Sequence, residues 1–387
     1  MIEPQMPPKK KLIRTSTVPL SLSGLLKGQL KFMSTHFEVI GVSSKGNNQL
    51  ENLSHQEGIQ TIPIEMARPI APLKDLKSLW QLYRLFKKEK PFIVHSITPK
   101  AGLLTMIAAK FAGVPHRLHT FTGLIFPTKT GVIQKILIFT DKILCYCATK
   151  VYPEGQGVKN DLIHYNITSK PLHIIGNGNV NGIDISYFSP NHFNETYKND
   201  LKKQLQIEEK DYVFVFIGRL VKDKGMNELV HVFTQLNLEH PNCKLLLVGD
   251  YEETLDPVKP ETLQRIKSNK NIISTGWIDD VRPYLAISNC LTFPSYREGF
   301  PNVVIQAGAM GLPSIVTDIS GCNEIIIEGQ NGTIIPVKNE TRLYEKMLQM
   351  YQKEVVYNNT TCRDLIANRY QHETIWHALL EEYKSLK

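Results

Sequence analysis

Three kinds of group in this chain could together hold a phosphorylated sugar: a carboxylate on a turn, two cations at a strand end, and the free amides that open a helix. The segment Tyr296–Pro313 reads as a glycine-proline turn, with Gly299, Phe300 and Pro301 after Glu298. It runs into a short helix that starts near Asn302 and stops at Gly311-Leu-Pro313. The first N–H groups of such a helix have no intrahelical partner and favour an anion. Gln306 lies about two turns further in. Upstream, Phe216-Ile-Gly218-Arg219 is an apolar run that ends at a glycine and delivers Arg219 to a strand end, with Lys224-Gly225 following before a helix. A planar guanidinium and a point-charge ammonium suit a diphosphate. A carboxylate for sugar hydroxyls beside cations for a diphosphate points to a nucleotide sugar as substrate.

These groups need elements to place them. In the first half, strands are expected over Leu12–Thr17, Phe37–Val42, Phe92–Ser96 and Arg117–Thr122. Helices are expected over Leu25–Ser34, Lys74–Glu89 and Lys100–Ala112. In the second half, Tyr212–Gly218, Lys244–Val248, Asn271–Thr275, Cys290–Phe293 and Ser314–Thr317 read as strands, with Met226–Leu236 and a final His372–Ser385 as helices. Alternation of this kind implies parallel sheets covered by helices on both faces. Ligands of such sheets bind at the carboxyl ends of the strands. The polar stretch from Ser189 to Asp200 marks the expected domain boundary. The run Gly176-Asn-Gly178-Asn-Val-Asn-Gly182 has the wrong spacing for a dinucleotide fingerprint and reads as a turn.

At 387 residues the chain can build two domains. No apolar run reaches the roughly 18–20 residues that cross a bilayer, and Met1–Lys11 has no long apolar core. The six cysteines are scattered, which argues against a disulfide framework and for a reducing cytoplasm. The net charge of +8 is uneven: residues 1–184 carry 23 Lys/Arg against 11 Asp/Glu. No nucleic-acid motif accompanies it, so an anionic membrane surface or a phosphorylated acceptor is the expected partner. Lys74–Lys90 and Val132–Lys150 are the basic, apolar stretches that could meet lipid.

The motifs Gly218-Arg219…Lys224-Gly225, Thr275-Gly276-Trp277 and Glu298-Gly-Phe-Pro…Gly311-Leu-Pro313 resemble the GT-B glycosyltransferases of family 4. Thr120-Phe-Thr-Gly-Leu-Ile-Phe126 and Gly176–Asp184 are similar to its CapM-like capsule and surface-polysaccharide members. The resemblance implies an α/β GT-B fold: two Rossmann-like domains facing across a cleft, with the C-terminal helix returning to the N-domain. The corresponding boundaries are 1–190 for acceptor binding, 191–368 for the nucleotide sugar and 369–387 for the returning helix. It also implies that Arg219, Lys224 and Glu298 are catalytic. Gly218, Gly276, Trp277, Gly299, Phe300, Pro301, Asn302 and Gln306 would bind the donor.

Two positions depart from the family pattern. The ribose-contacting acid is Gln306 here, which removes charge assistance from that hydrogen bond. A histidine near the donor sugar is replaced by Thr122, which offers a hydroxyl only. Strand alternation sets His119 on the face opposite Thr122, so it is expected to be a packed histidine. Ser23, Gly24, His95, Lys100, Thr122 and Gly123 are the candidate contacts for acceptor or donor in the first half. The loops Ser21–Gly28 and Leu124–Gly131 would select the acceptor.

The expected activity is retaining transfer of a hexose or N-acetylhexosamine from a UDP-linked sugar to a lipid-diphosphate-linked saccharide. It would occur at the cytoplasmic membrane face. No Asp-x-Asp occurs, so no metal or other cofactor is expected, and no nucleic acid. Two alternatives stay open: a nucleotide-sugar epimerase of the same fold, and a degenerate GT-B module that binds without turnover.

Overall fold

The computed structural model describes residues 9–67, 71–252, 254 and 256–387, so Met1–Pro8 of the N-terminal stretch lies outside them. The chain divides into two compact units, Met1–Gly182 with Glu373–Lys387, and Ile183–His372. The division falls between Gly182 and Ile183. The polar stretch from Ser189 belongs to the second unit, where Asn194 accepts the Tyr197 N–H and caps a helix.

The first unit runs β1 (Lys11–Thr15), α1 (Pro19–Leu25), α2 (Gln29–Ser34), β2 (Glu38–Ser43), α3 (Gln49–Glu57), β3 (Gln60–Pro63), α4 (Pro72–Glu89), β4 (Ile93–Ile97), α5 (Pro99–Ala112), β5 (His116–Phe121), α6 (Gly131–Cys147), β6 (Lys150–Pro153) and α7 (Gln156–His164). The second runs α8 (Glu195–Gln204), β7 (Tyr212–Ile217), α9 (Met226–Glu239), β8 (Cys243–Val248), α10 (Pro260–Ser268), β9 (Ile272–Ser274), α11 (Arg282–Ala286), β10 (Cys290–Phe293), α12 (Asn302–Ala309), β11 (Ser314–Thr317), α13 (Cys322–Ile325), β12 (Gly332–Ile335), α14 (Glu340–Tyr351) and α15 (Asn359–Tyr370). All but the first residue of α16 (His372–Lys384) belongs to the first unit.

Each unit holds a six-stranded parallel sheet, ordered β3-β2-β1-β4-β5-β6 in the first and β12-β11-β10-β7-β8-β9 in the second. In each, the order reverses once, between β1 and β4 and between β7 and β10. Helices cover both faces, and Val213–Ile217 of β7 is apolar and buried without a break, whereas β1, β4 and β5 also bury Arg14, His95, His119 and Thr120. Proline opens α1, α4 and α5, where its missing N–H costs nothing.

One expected element is corrected. Residues 25–34 do not form one helix, and Ser21–Gly28 is not wholly a loop. Helix α1 ends at Leu25 and α2 begins at Gln29, because Gly28 turns left-handed at φ 78°. A Cβ there would lie 2.8 Å from the Trp376 ring of α16, so the break gives that ring its seat.

In the first unit, α1–α3 and α16 cover one face of the sheet, around Leu22, Leu30, Leu53, Leu379 and Tyr383. Helices α4–α6 cover the other, around Leu82, Phe86, Met106 and Leu144. Helix α16 is also held by polar contacts. Trp376 Nε1 donates to Asn181 Oδ1 at 2.8 Å, and Tyr152 and Lys150 both donate to Glu382.

Asp141 is half-buried on α6, where burial pushes its carboxyl from 3.8 up to about 7. The folded unit therefore keeps a proton that the unfolded chain releases. Stability falls as pH rises through that window and levels off above it. Asp141→Asn is expected to leave the melting temperature near pH 4 almost unchanged and to raise it by several degrees at pH 8. Thermal melts at the two pH values check this; an equal change at both overturns it.

Candidate active site

The reversal between β7 and β10 sets the geometry of the second unit. Two neighbouring strands leave the sheet in opposite lateral directions, and their following segments diverge around a crevice. After β7 come Gly218–Gly225; after β10 come Pro294–Asn302. Lys224 and Glu298, 74 residues apart, meet there as an ion pair between Nζ and Oε1. Their side chains are only 18% and 14% exposed. Ser295 Oγ donates to the same carboxylate oxygen at 2.8 Å, and the Lys224 ammonium lies 5.2 Å from the Phe293 ring centroid.

This contact depends on Gly225. Its φ of 71° is left-handed, and a Cβ would lie 2.1 Å from the Pro294 carbonyl oxygen. The two segments therefore touch backbone to backbone. Further ties hold them: Tyr296 N–H donates to Asp223 O at 2.8 Å, Arg297 Nε to Asp223 at 2.9 Å, and the Tyr296 hydroxyl to Glu228 at 2.5 Å. Burial, then the Glu228 carboxylate, push the Tyr296 hydroxyl above its usual range.

Arg219 is exposed and has no ion pair or side-chain hydrogen bond among the described residues. Arg219 therefore remains available, whereas Lys224 is already neutralised by Glu298. Gly299 is half-buried, Phe300 packs against Tyr370 at a centroid distance of 5.5 Å, and Pro301 precedes α12. Helix α12 begins at Asn302 with no side-chain cap and no acid in its first turn, as an anion-facing terminus requires. Gln306 is half-buried on α12. Thr275-Gly276-Trp277 follows β9; the Trp277 N–H donates to Asp250 at 3.0 Å and its ring is 70% exposed. A flat exposed ring beside a strand end can stack on a planar base.

The first unit distributes its candidates differently. Ser23 and Gly24 lie on α1; a Cβ at Gly24 would meet nothing within 4 Å. Thr122 and Gly123 follow β5, both half-buried. Lys100 is held by Asp75 at 2.7 Å, so an acceptor phosphate would have to compete for it. His119 is packed under α5 with its Nδ1 2.8 Å from Ser96 Oγ, and burial lowers its pKa to about 3.

His95 sits in a polar interior. Its Nδ1 is 3.0 Å from Arg14 Nη1 and 2.6 Å from the Tyr383 hydroxyl, and its Nε2 is 2.8 Å from Thr120 Oγ1. An arginine can only donate, so Nδ1 accepts and Nε2–H donates to Thr120. Burial, and then Arg14, hold His95 neutral, well below its usual pKa. Arg14, His95 and Thr120 line a small cavity together with Glu154, Asn179 and Ile375 of α16. Arg14 and Tyr383 escape notice in sequence, because one ends a strand and the other a distant helix. The strain at Thr98 is not visible in sequence either: at φ 71° a β-branched residue is unfavourable. Its hydroxyl accepts the Thr17 N–H at 3.1 Å, bridging β1 and β4 at the first unit's own reversal.

No cysteine of the six forms a disulfide, and all are buried. Burial, then the Glu298 carboxylate, push the Cys322 thiol far up, so it is no nucleophile. Among the described residues no group of three His, Cys, Asp or Glu side chains is placed to hold a metal ion.

Two doubly wound parallel units, one with a carboxylate and cations at its strand-order reversal, are those of a GT-B glycosyltransferase. The chain belongs to the Glycosyl transferases group 1 family, which residues 198–372 match, while residues 25–154 match Glycosyl transferase 4-like. It is 30% identical to the capsular polysaccharide biosynthesis glycosyltransferase CapM of Staphylococcus aureus, over 97% of both chains. It is 29% identical, over 78% of each chain, to the UDP-Gal:alpha-D-GlcNAc-diphosphoundecaprenol alpha-1,3-galactosyltransferase of Escherichia coli. The fold matches that of Anabaena HepE, solved in complex with UDP, at a TM-score of 0.79 and 18% identity, over 97% of this chain and 100% of that one.

Lys224→Met and Glu298→Gln each leave a partly buried group without its partner, and each is expected to cost about 1–3 kcal/mol of stability. The double variant should cost clearly less than their sum. Denaturant unfolding of the four proteins measures this; additive losses mean that the two side chains do not interact.

Proposed function

We propose that the protein transfers a hexose or N-acetylhexosamine from a nucleotide diphosphate sugar, UDP-linked, to a lipid-diphosphate-linked saccharide in surface-polysaccharide synthesis. The observation that carries this reading is the Lys224–Glu298 pair at the β7/β10 reversal, with Arg219 exposed beside it and the uncapped start of α12 nearby. The two relatives, a capsular polysaccharide biosynthesis glycosyltransferase and a diphosphoundecaprenol-directed galactosyltransferase, support the polysaccharide product and the lipid diphosphate. A lipid-linked acceptor puts the reaction at a membrane surface.

In this reading Glu298 accepts hydrogen bonds from the sugar hydroxyls. Arg219, Lys224 and the first amides of α12 take the charge that grows on the departing diphosphate. Transfer is retaining. The bond from the anomeric carbon to the diphosphate oxygen breaks, and the acceptor oxygen bonds to that carbon on the same face. The acceptor proton passes to a phosphate oxygen of the leaving group. The protein positions and neutralises, without a metal. Gln306 hydrogen-bonds the ribose through its amide, and Trp277 stacks on the base.

Release of UDP from a panel of nucleotide sugars, with and without polyprenyl-diphosphate saccharides, tests the reading. Release that depends on acceptor and persists in EDTA supports it; strict dependence on manganese overturns the metal-free part. Conversion of donor without acceptor means an epimerase, and thermal shifts without turnover mean a binding module. Glu298→Gln should lower kcat about a hundredfold. Gln306→Glu should keep or improve turnover; a folded but inactive variant removes the ribose assignment.

A further inference from the structure

The outer face of the α4–α5–α6 layer is unusually apolar for a surface. Helix α5 packs between α4 and α6 on one side of the first sheet. On α4, Leu73, Leu76 and Trp80 are 86%, 64% and 57% exposed. They fall on one stripe, opposite the buried Ser78, Leu82 and Phe86. On α6, Val132, Ile136, Phe139 and Tyr146 form a second stripe, with Phe139 63% and Tyr146 75% exposed. Large apolar side chains clustered in this way mark an interaction site.

The charges around these stripes are predominantly positive. Residues 72–147 carry 12 Lys/Arg and three acids. Lys77, Arg84 and Lys87 continue the α4 stripe, Lys135 and Lys142 flank that of α6, and all five are exposed. The three acids add little opposing charge. Asp75 is paired with Lys100 and Glu89 with Lys11, each at 2.7 Å. Asp141, its carboxyl raised to about 7, is partly protonated near neutral pH.

We propose that this face is a membrane-docking surface, in which Trp80, Phe139 and their apolar neighbours enter the interface of an anionic bilayer and the surrounding lysines and arginines bind lipid headgroups. Aromatic and aliphatic side chains ringed by cations are what such an interface accepts. Among the described residues no helix is long and apolar enough to cross a membrane, so the contact lies in the interface plane. Only the purpose of the surface, bringing the enzyme to a lipid-linked acceptor, rests on the proposed function.

Flotation of the full chain with phosphatidylglycerol-containing vesicles, against pure phosphatidylcholine, tests it. The wild type should float with the anionic vesicles only, and less so in high salt. Trp80→Glu with Phe139→Glu, and separately Lys77→Glu with Arg84→Glu and Lys87→Glu, should each weaken partitioning about tenfold or more. Their melting temperatures should be unchanged. Absence of flotation, flotation that neither set affects, or self-association through this face without vesicle binding overturns the proposal. Turnover on a short-chain, water-soluble acceptor separates the two ideas. Turnover without flotation removes the docking surface and leaves the transferase, and flotation without turnover does the reverse.

Discussion

The reversal of strand order between β7 and β10 is the constraint on which the site depends. Parallel strands that continue sideways in one direction keep their following loops stacked. A reversal separates two loops and leaves a crevice between them. Here the crevice is nearly closed at its floor, where Gly225 lies against the Pro294 carbonyl. Lys224 and Glu298 are therefore forced together, and Ser295 and Asp223 fix them. The pair keeps a partly buried cation and anion satisfied in the absence of ligand, which each alone could not be. Arg219, outside that pairing, keeps its charge.

The first unit repeats the topology with different contents. Its reversal, between β1 and β4, is bridged by Thr17 and Thr98 rather than by charges. Its two helical layers differ in kind. On the α1–α3 and α16 side, Arg14, His95, Thr120 and Tyr383 form a buried polar network that ties the last helix of the chain to the first strand. On the α4–α6 side the interior is mainly apolar, with the small His119–Ser96 and Thr15–Thr105 pairs buried there, and basic residues lie outside around exposed aromatic and aliphatic groups. One sheet thus has a face specialised for holding the C-terminal helix and a face whose outer surface is free for a partner.

Much of the fold is legible in the chain. Cys290–Phe293 and Ser314–Thr317 are strands with the bounds that their apolar runs suggest. Helix α4 follows its spacing of apolar residues, and both sheets are parallel as alternation of strand and helix requires. Gly28 is a local signal for the break between α1 and α2, but its fit against Trp376, nearly 350 residues away, was not legible. Of the candidate site, the strand-end glycines, the cations and the turn-helix carboxylate could be picked out, since each has a local signature. The pairing of Lys224 with Glu298, the capture of Lys100 by Asp75 and the burial of His95 could not. All three are set by segments that the chain brings together from afar.

Element types, parallel sheets and residue types suited to a sugar diphosphate follow from local patterns, because periodicity, glycine and proline act over a few residues. Which charges neutralise one another, which stay exposed and which helix faces remain uncovered emerge only when the chain is folded. These depend on strand order and long-range packing, for which no local pattern of residues is a substitute.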